Sequence, residues 1–451
     1  MAPLAIRPDS DIIHWLREHV PYKERVRDHY FALRGYAADA RHRFRSSPSQ
    51  LTATPDAPDH ILLVVIDCLR PDYIPDLPLE FTTAIAPSTW TFPSVTSIHT
   101  GQYPHEHGTV VHATEGDSTF AIPKQAEGQP VLPEVLEGAG YDTASVAGFV
   151  MPYLAYRGWY QRHRVFGHEP VEPVGAAYRD WRRGRSQTFA YLHLSDLHRP
   201  LMPPERLLDE YDVDRELAAT EAPEPFDSDD PECRRFRENE LRRYRATLAH
   251  VEETLTPLLE DVLEDTLVVV TADHGEAMWE HPDVARQFSN PLSEDGFEHG
   301  GTPFDMVARV PVGVSNPGGG SGLPEGGWPT LCDLPRTIVD DVTSEDMNPF
   351  GKHAWQEPIP DDRAVLCEGV RYGHERKAVY GDGVKIIRSI EDDVILTAKV
   401  NRDSIGEAFD ELDNSSIKHL LVAFPEKWGR SGQMNRPNKF VTEQLEALGY
   451  K

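Results

Sequence analysis

The sequence predicts an α/β fold: a mostly parallel central sheet with helices on both faces, plus a small C-terminal antiparallel subdomain. Three observations predict it. Short apolar, often β-branched runs recur between residues 61 and 314, and helical stretches separate them. From about residue 360 the pattern changes to alternation with a period of two. Strands that are apolar nearly throughout, spaced by helices, belong to a sheet covered on both faces.

In chain order, residues 10–45 read as helical, and Pro21 divides them into a short and a longer helix. Ile12, Ile13, Trp15, Leu16 and Val20, then Val26, Tyr30, Phe31 and Leu33, fall at near-helical spacing. The arm is locally basic, with Arg17, Lys23, Arg25, Arg27, Arg34, Arg41, Arg43 and Arg45. Packing on the main domain is the expectation; weak contact with a membrane surface or an acidic partner is the alternative. "RSSPSQLTATPDAPDH" (45–60) is a linker by composition. Strands are expected at 61–66, 143–150, 188–194, 266–271 and 309–314, with helices in "VLPEVLEGAG" and "RYRATLAHVEETLTPLLEDVL" between them. Residues 221–240, acidic and proline-bearing, read as an exposed insertion, and 316–330 as an irregular loop. A helix resumes in 330–342, the alternating stretch forms a small antiparallel sheet, and a closing helix is expected near 437–448. There is no internal repeat. The expected organisation is a helical arm and linker (1–58), a catalytic domain (59–355) and a C-terminal subdomain (356–451).

Composition narrows the class. No run approaches the ~20 apolar residues of a membrane helix, and the N-terminus lacks the charged and apolar regions of a secretory signal. Cys68, Cys233, Cys332 and Cys367 are scattered without metal spacing, as in a reduced cytoplasmic protein. Acidic residues number 74 against 45 basic, for a net charge of -29, and only ten of the basic residues are lysine. An acidic, lysine-poor surface suits a salt-accumulating cytoplasm, where self-repulsion is screened; an ordinary acidic protein is the alternative. The same charge disfavours nucleic-acid binding.

Chemistry collects where the strands end. In open α/β sheets ligands bind beyond the carboxyl ends of the strands. There the chain places Asp67 after 61–66, Asp196 and His198 after 188–194, and Asp273 and His274 after 266–271. Carboxylates with imidazole suit a divalent cation such as Mg, Mn, Ca or Zn. "PSVTSIHT" up to Gly101 reads as a two-turn helix preceded by Thr91. A hydroxyl at a helix N-terminus lies in positive potential, which favours an alkoxide and an anionic substrate. Ser94 is the rival nucleophile, and a plain capping role is the alternative for Thr91.

These segments resemble the sulfatase-like branch of the alkaline phosphatase superfamily over about residues 60–342. "LLVVIDCLRPDY" is similar to its first metal-ligand strand and "TFPSVTSIHTGQYPHEHG" to the sulfatase signature. "YLHLSDLHRPLMPP", "TLVVVTADHGE" and "FEHGGTPFDMVARVPV" resemble the anion-facing histidine motif, the second pair of metal ligands and a further anion-contacting segment. The resemblance and the composition together point to a haloarchaeal source. It implies Asp67, Asp273 and His274 as metal ligands, with Thr91 bridging metal and substrate. His198 and His299 would hold non-bridging oxygens or the leaving group, and one metal is favoured over two. In the two-metal alternative Asp196, His198 and His299 bind the second. Arg70 meets the substrate anion or makes a structural ion pair; His105 and His107 pack the loop after the helix.

Three positions depart from the pattern. The nucleophile position carries Thr91 rather than Cys or Ser, so formylglycine cannot form there; the arginine after Pro-Ser is Val95; and Cys68 stands where a second Asp is usual. Threonine resembles the relatives that attack phosphorus directly. The expected activity is therefore metal-dependent hydrolysis of, or transfer from, phosphate or sulfate esters on small molecules, glycans or lipids. The alternatives are a sulfatase acting without formylglycine and a non-catalytic binding module.

Overall fold

The computed structural model describes residues 21–45, 48–110, 122–289, 295–320, 322–345, 351–369, 371–412, 414–426, 428 and 434–435. The short helix expected before Pro21 and the closing helix at 437–448 lie outside them. Seven strands form the central sheet: β1 (His60–Ile66), β2 (Phe81–Ile85), β3 (Asp142–Ala147), β4 (Arg162–Val165), β5 (Thr188–Leu194), β6 (Thr266–Thr271) and β7 (Arg309–Ser315). Their spatial order is β2-β7-β6-β1-β5-β3-β4. β1 pairs in parallel with β5 and β6, and β3 with β5 and β4. Only β7 runs against its neighbours, β6 and β2. Every residue of β5 and β6 is buried, because both faces of these inner strands are covered.

Two expectations change. The strand expected at 143–150 stops at Ala147, and Val150–Tyr156 is already helical, with Pro152 in its first turn where the missing N–H costs nothing. Residues 231–240 are not an exposed insertion but the start of a 30-residue helix, Pro231–Glu260. Its start signals are local: the Asp230 carboxylate accepts from the N–H groups of Glu232 and Cys233, and Pro231 opens the first turn. Cys233, Phe236, Asn239 and Glu240 are buried along it. α1 (Pro21–Arg43) packs on β4, burying Phe31, and Asp39 accepts from the His163 backbone N–H at 2.8 Å.

Five antiparallel strands in sequence order form the second sheet: β8 (Val365–Cys367), β9 (Arg376–Gly381), β10 (Val384–Ser389), β11 (Val394–Asn401) and β12 (Ser404–Phe409). One face of it packs with Ile85 of β2, Phe304 and Trp328; the other packs with Tyr103, Cys332 and the helix Asn414–Leu421. It is therefore bonded to the segment that carries Thr91: Ser88 bridges to Glu368, and the Trp90 indole N–H donates to Gly369 O at 2.5 Å.

Two core histidines make this fold sensitive to acid. Burial pushes His99 down to about 4 and His107 down to about 3. The unfolded chain takes up protons below its ordinary value of 6.5 while the folded chain stays neutral. Their contribution is complete above pH 6.5 and disappears as pH falls through the folded values. The thermal midpoint should drop across that window, and a His99→Gln variant should show a shallower drop. Parallel profiles for the two proteins would contradict the assignment.

Candidate functional site

β1 ends in Asp67, whose backbone N–H donates to Leu194 O of β5 at 3.0 Å. β6 leads to Asp273 and His274. Thr91 is the first residue of α2 (Thr91–Thr100), a helix that Gly101 closes in the left-handed conformation at φ 68°. Asp67, Thr91, Asp273 and His274 are all fully buried and meet in one place. Thr91 Oγ1 lies 3.4 Å from Asp67 Oδ2 and 3.3 Å from His274 Nε2. His274 Nε2 is 3.5 Å from both Asp67 Oδ1 and Asp273 Oδ2. The His274 Nδ1–H donates to Gly275 O at 2.9 Å, which leaves the Nε2 lone pair facing Thr91. Gly275 is required here: a Cβ would stand 2.0 Å from the Met306 carbonyl oxygen.

The hydroxyls of the signature helix sort themselves by partner. Ser94, the rival nucleophile, donates to the Asp273 carbonyl and is committed to holding that loop. Thr96 donates to Phe92 O, and Ser97 bonds His107. Thr91 alone among these three helix neighbours and itself faces the acidic groups. Val95, at the position of the absent arginine, is buried in the core.

His193 was not singled out from the sequence, where it reads as one more position of a buried strand. It stands in register with Val65, so it shares a sheet face with Asp67. The Tyr191 hydroxyl donates to its Nδ1 at 2.7 Å, and Nε2–H donates to Asp67 Oδ2 at 3.1 Å. Burial alone would raise the Asp67 carboxyl; the His193 hydrogen bond, and after it the neighbouring histidine rings, hold it well below the carboxylate range. Asp273 is driven the other way, by burial and then by the Asp67 charge. Its Oδ2 is buried without a hydrogen-bond partner. Two adjacent carboxylates, an orphaned oxygen, an imidazole lone pair and a hydroxyl are the donor set of a divalent cation, and the residues fit one. Within reach of one another are Asp67, His193 and Asp273, and also Asp67, Cys68 and His274.

The remaining predicted residues divide. His198 and His299 come together, their rings 4.9 Å apart, and His299 stacks on His274 at 4.5 Å. Burial lowers His198 to about 4; burial and the neighbouring His274 lower His299 to about 3. Asp196 turns away: its Oδ1 accepts from the Val171 backbone N–H at 3.1 Å, and burial raises it to about 7. The one-residue spacing to His198 carries no sign of that turn. Arg70 pairs with Asp72 and Glu280 at 2.8 Å each, a structural role. His105 pairs with Glu368, and His107 with Ser97. Arg371, which nothing in the sequence flagged, lies over the Trp90 ring at 4.8 Å, and its backbone N–H donates to Gly300 O, the residue after His299.

This sheet, with a second antiparallel sheet behind it, is the architecture of a class of sulfuric and phosphoric ester hydrolases. A protein solved in complex with its substrate D-glucosamine-2-N,6-O-disulfate shares it at 14% identity and a TM-score of 0.55, over 81% of this chain and 92% of that one. The phosphonate monoester hydrolase of Agrobacterium radiobacter aligns at 15% identity and a TM-score of 0.53, over 77% and 90%. That of Silicibacter pomeroyi aligns at 15% and 0.53, over 76% and 89%. The sulfatase family model matches residues 72–311, more than half of the chain, and the protein belongs to the sulfatase family. It is accordingly a sulfuric or phosphoric ester hydrolase. No curated protein matches it. No helix among the described residues is long and apolar enough to cross a membrane.

Proposed function

We propose that the protein cleaves a phosphate or sulfate ester with Thr91 as nucleophile, at a site where Asp67, Asp273, His274 and Thr91 hold one divalent metal. The observation that carries this reading is the position of Thr91 Oγ1, 3.4 Å from Asp67 Oδ2 and 3.3 Å from His274 Nε2, on the first turn of α2. The chemistry a divalent cation supplies when bound is charge that favours the threonine alkoxide and offsets charge growing on the ester. In the first helical turn, where Pro93 has no N–H and the Ser94 N–H donates to Trp90 O, the backbone N–H groups of Thr91 and Phe92 favour the same anion. Thr91 attacks phosphorus or sulfur in line with the departing alcohol and becomes esterified; water or an acceptor alcohol then displaces the group from Thr91. His193 fixes the orientation of Asp67, and Ser94 fixes the loop of Asp273. His198 and His299 lie on the side of the non-bridging oxygens or the leaving group.

Arg371 supplies the fixed positive charge that Val95 does not. An Arg371→Ala variant should raise KM by roughly 10- to 100-fold, the loss of one charged hydrogen-bond partner, with a smaller effect on kcat. Unchanged KM would remove Arg371 from substrate binding. The acidic, lysine-poor composition favours assays in molar salt. The function itself is tested there by turnover on a panel of aryl phosphodiesters, phosphates, phosphonates and sulfates, with metal content measured on the same sample. Absence of turnover on every member despite bound metal would leave a binding module instead.

A further inference from the structure

The helix α1 is held to the sheet by one face and exposes the other. Phe31, Gly35, Ala38 and Asp39 are buried on the side that packs on β4. A Cβ on Gly35 would stand 2.6 Å from the His163 carbonyl oxygen. The Asp39 carboxylate holds both the backbone N–H and the ring of His163, so the helix has one seating. On the opposite face Leu33 and Tyr36 are each 66% exposed and Phe44, just past the last turn, is 91% exposed. Ala37 and Ala40 are exposed between them. At about 100° per residue these five positions form a stripe about 100° wide, with Arg41 on one side of it and Arg43 on the other. Asp39 is the only acid between residues 29 and 45, and it points inward. Arg45, Arg162 and Arg185 nearby are paired with Glu134, Asp39 and Asp142, whereas among the described residues Arg34, Arg41, Arg43 and Arg157 make no ion pair. Burial, and then the charges of Arg41 and Arg34, push the Arg157 guanidinium down. Nε of Arg34 and Nε of Arg157 are buried with no hydrogen-bond partner.

We infer that the outer face of α1 docks the protein on an anionic lipid surface, with Leu33, Tyr36 and Phe44 entering the headgroup region and Arg34, Arg41, Arg43 and Arg157 meeting lipid phosphates. Charge selects this occupant. Residues 21–45 carry seven Lys and Arg against three Asp and Glu, in a chain of 74 acidic and 45 basic residues. An anionic bilayer therefore repels most of the surface and attracts this arm, which fixes the side that lands. A second copy of the chain would instead bring two arginine-flanked stripes together. Guanidinium groups with unused donors suit phosphate oxygens, and an apolar row with two aromatic rings suits the headgroup boundary. Three large apolar side chains give weak, reversible attachment. The inference stands apart from the Thr91 reading: α1 bonds to Tyr153, Gly158 and His163, none of which belongs to the ester site.

The test floats the full chain with vesicles of phosphatidylglycerol in phosphatidylcholine, and with phosphatidylcholine alone, in molar and in more dilute salt. In dilute salt the native chain should partition onto the anionic vesicles about tenfold more strongly than onto the neutral ones. Leu33→Ser combined with Phe44→Ser should lower partitioning about tenfold at both salt concentrations. Arg41→Gln combined with Arg43→Gln should lower it chiefly in dilute salt, because molar salt already screens charge beyond about 3 Å. All these side chains are exposed, so thermal midpoints should match that of the native chain. No partitioning of the native chain onto anionic vesicles, or equal partitioning of the native and Leu33→Ser/Phe44→Ser chains, overturns the inference. A lower thermal midpoint for that double variant, or a native dimer in ultracentrifugation that the variant loses, also overturns it, because the stripe would then be covered by the chain itself or by a second copy.

Discussion

Replacing Thr91 with alanine is expected to lower kcat on the best substrate by about three orders of magnitude or more. The protein should remain folded. The hydroxyl's contacts are long, at 3.3 and 3.4 Å, and their loss costs about 1 kcal/mol. Thr91→Ser keeps the oxygen and should retain measurable turnover. A sample quenched in acid during turnover should carry the phosphoryl or sulfuryl group on the peptide that contains Thr91. Turnover of Thr91→Ala within tenfold of the native chain would dismiss this residue. Ser94 would not simply inherit the role, because its hydroxyl already bonds the Asp273 carbonyl.

The second large effect concerns stability. Arg309 is 0% exposed. Its guanidinium donates to the carbonyls of Asn401 and Ser404 at 2.9 Å, to Arg402 O at 2.7 Å and to Thr83 Oγ1 at 3.1 Å. It also lies 3.4 Å from Asp305, which Tyr380 and Lys385 approach from the second sheet. One side chain thus ties β7 and β2 to the turn between β11 and β12. Arg309→Ala strands several buried acceptors at once, and the expected loss is about 3–5 kcal/mol, read as a lower urea midpoint. Arg309→Lys should recover only part of it, because a single ammonium cannot reproduce the planar fork. A change below about 1 kcal/mol would show that the second sheet does not depend on this residue.

The strands, the alternation after residue 360 and the strand-end residues were legible because each depends on local pattern. Asp67, Asp273 and His274 follow apolar runs directly, and Thr91 precedes a short helix with proline early and glycine at its end. Residues that act from elsewhere were not legible. His193 has the sequence appearance of a core position, and only the register of β1 with β5 brings it to Asp67. Arg371 arrives from a loop whose path is set by tertiary packing. Asp196 fails for the reverse reason: it is close to His198 in sequence, yet its side chain faces Val171. Cys68 was read as a missing carboxylate; its left-handed backbone and its approach to His299 appear only in three dimensions.

The antiparallel strand β7 also sets a timetable for biosynthesis. β2, which leads into Trp90 and Thr91, takes its ladder from Arg309–Gly313, a segment that leaves the ribosome long after Phe81–Ile85. Until it does, β6 also lacks the neighbour that β7 provides along its other edge. Contacts so distant in sequence form late. A nascent chain stopped before Arg309 would carry Asp67, Asp273 and His274 but have no ladder to fix the strand before its threonine, so activity should be acquired abruptly, and only after Arg309–Gly313 has emerged.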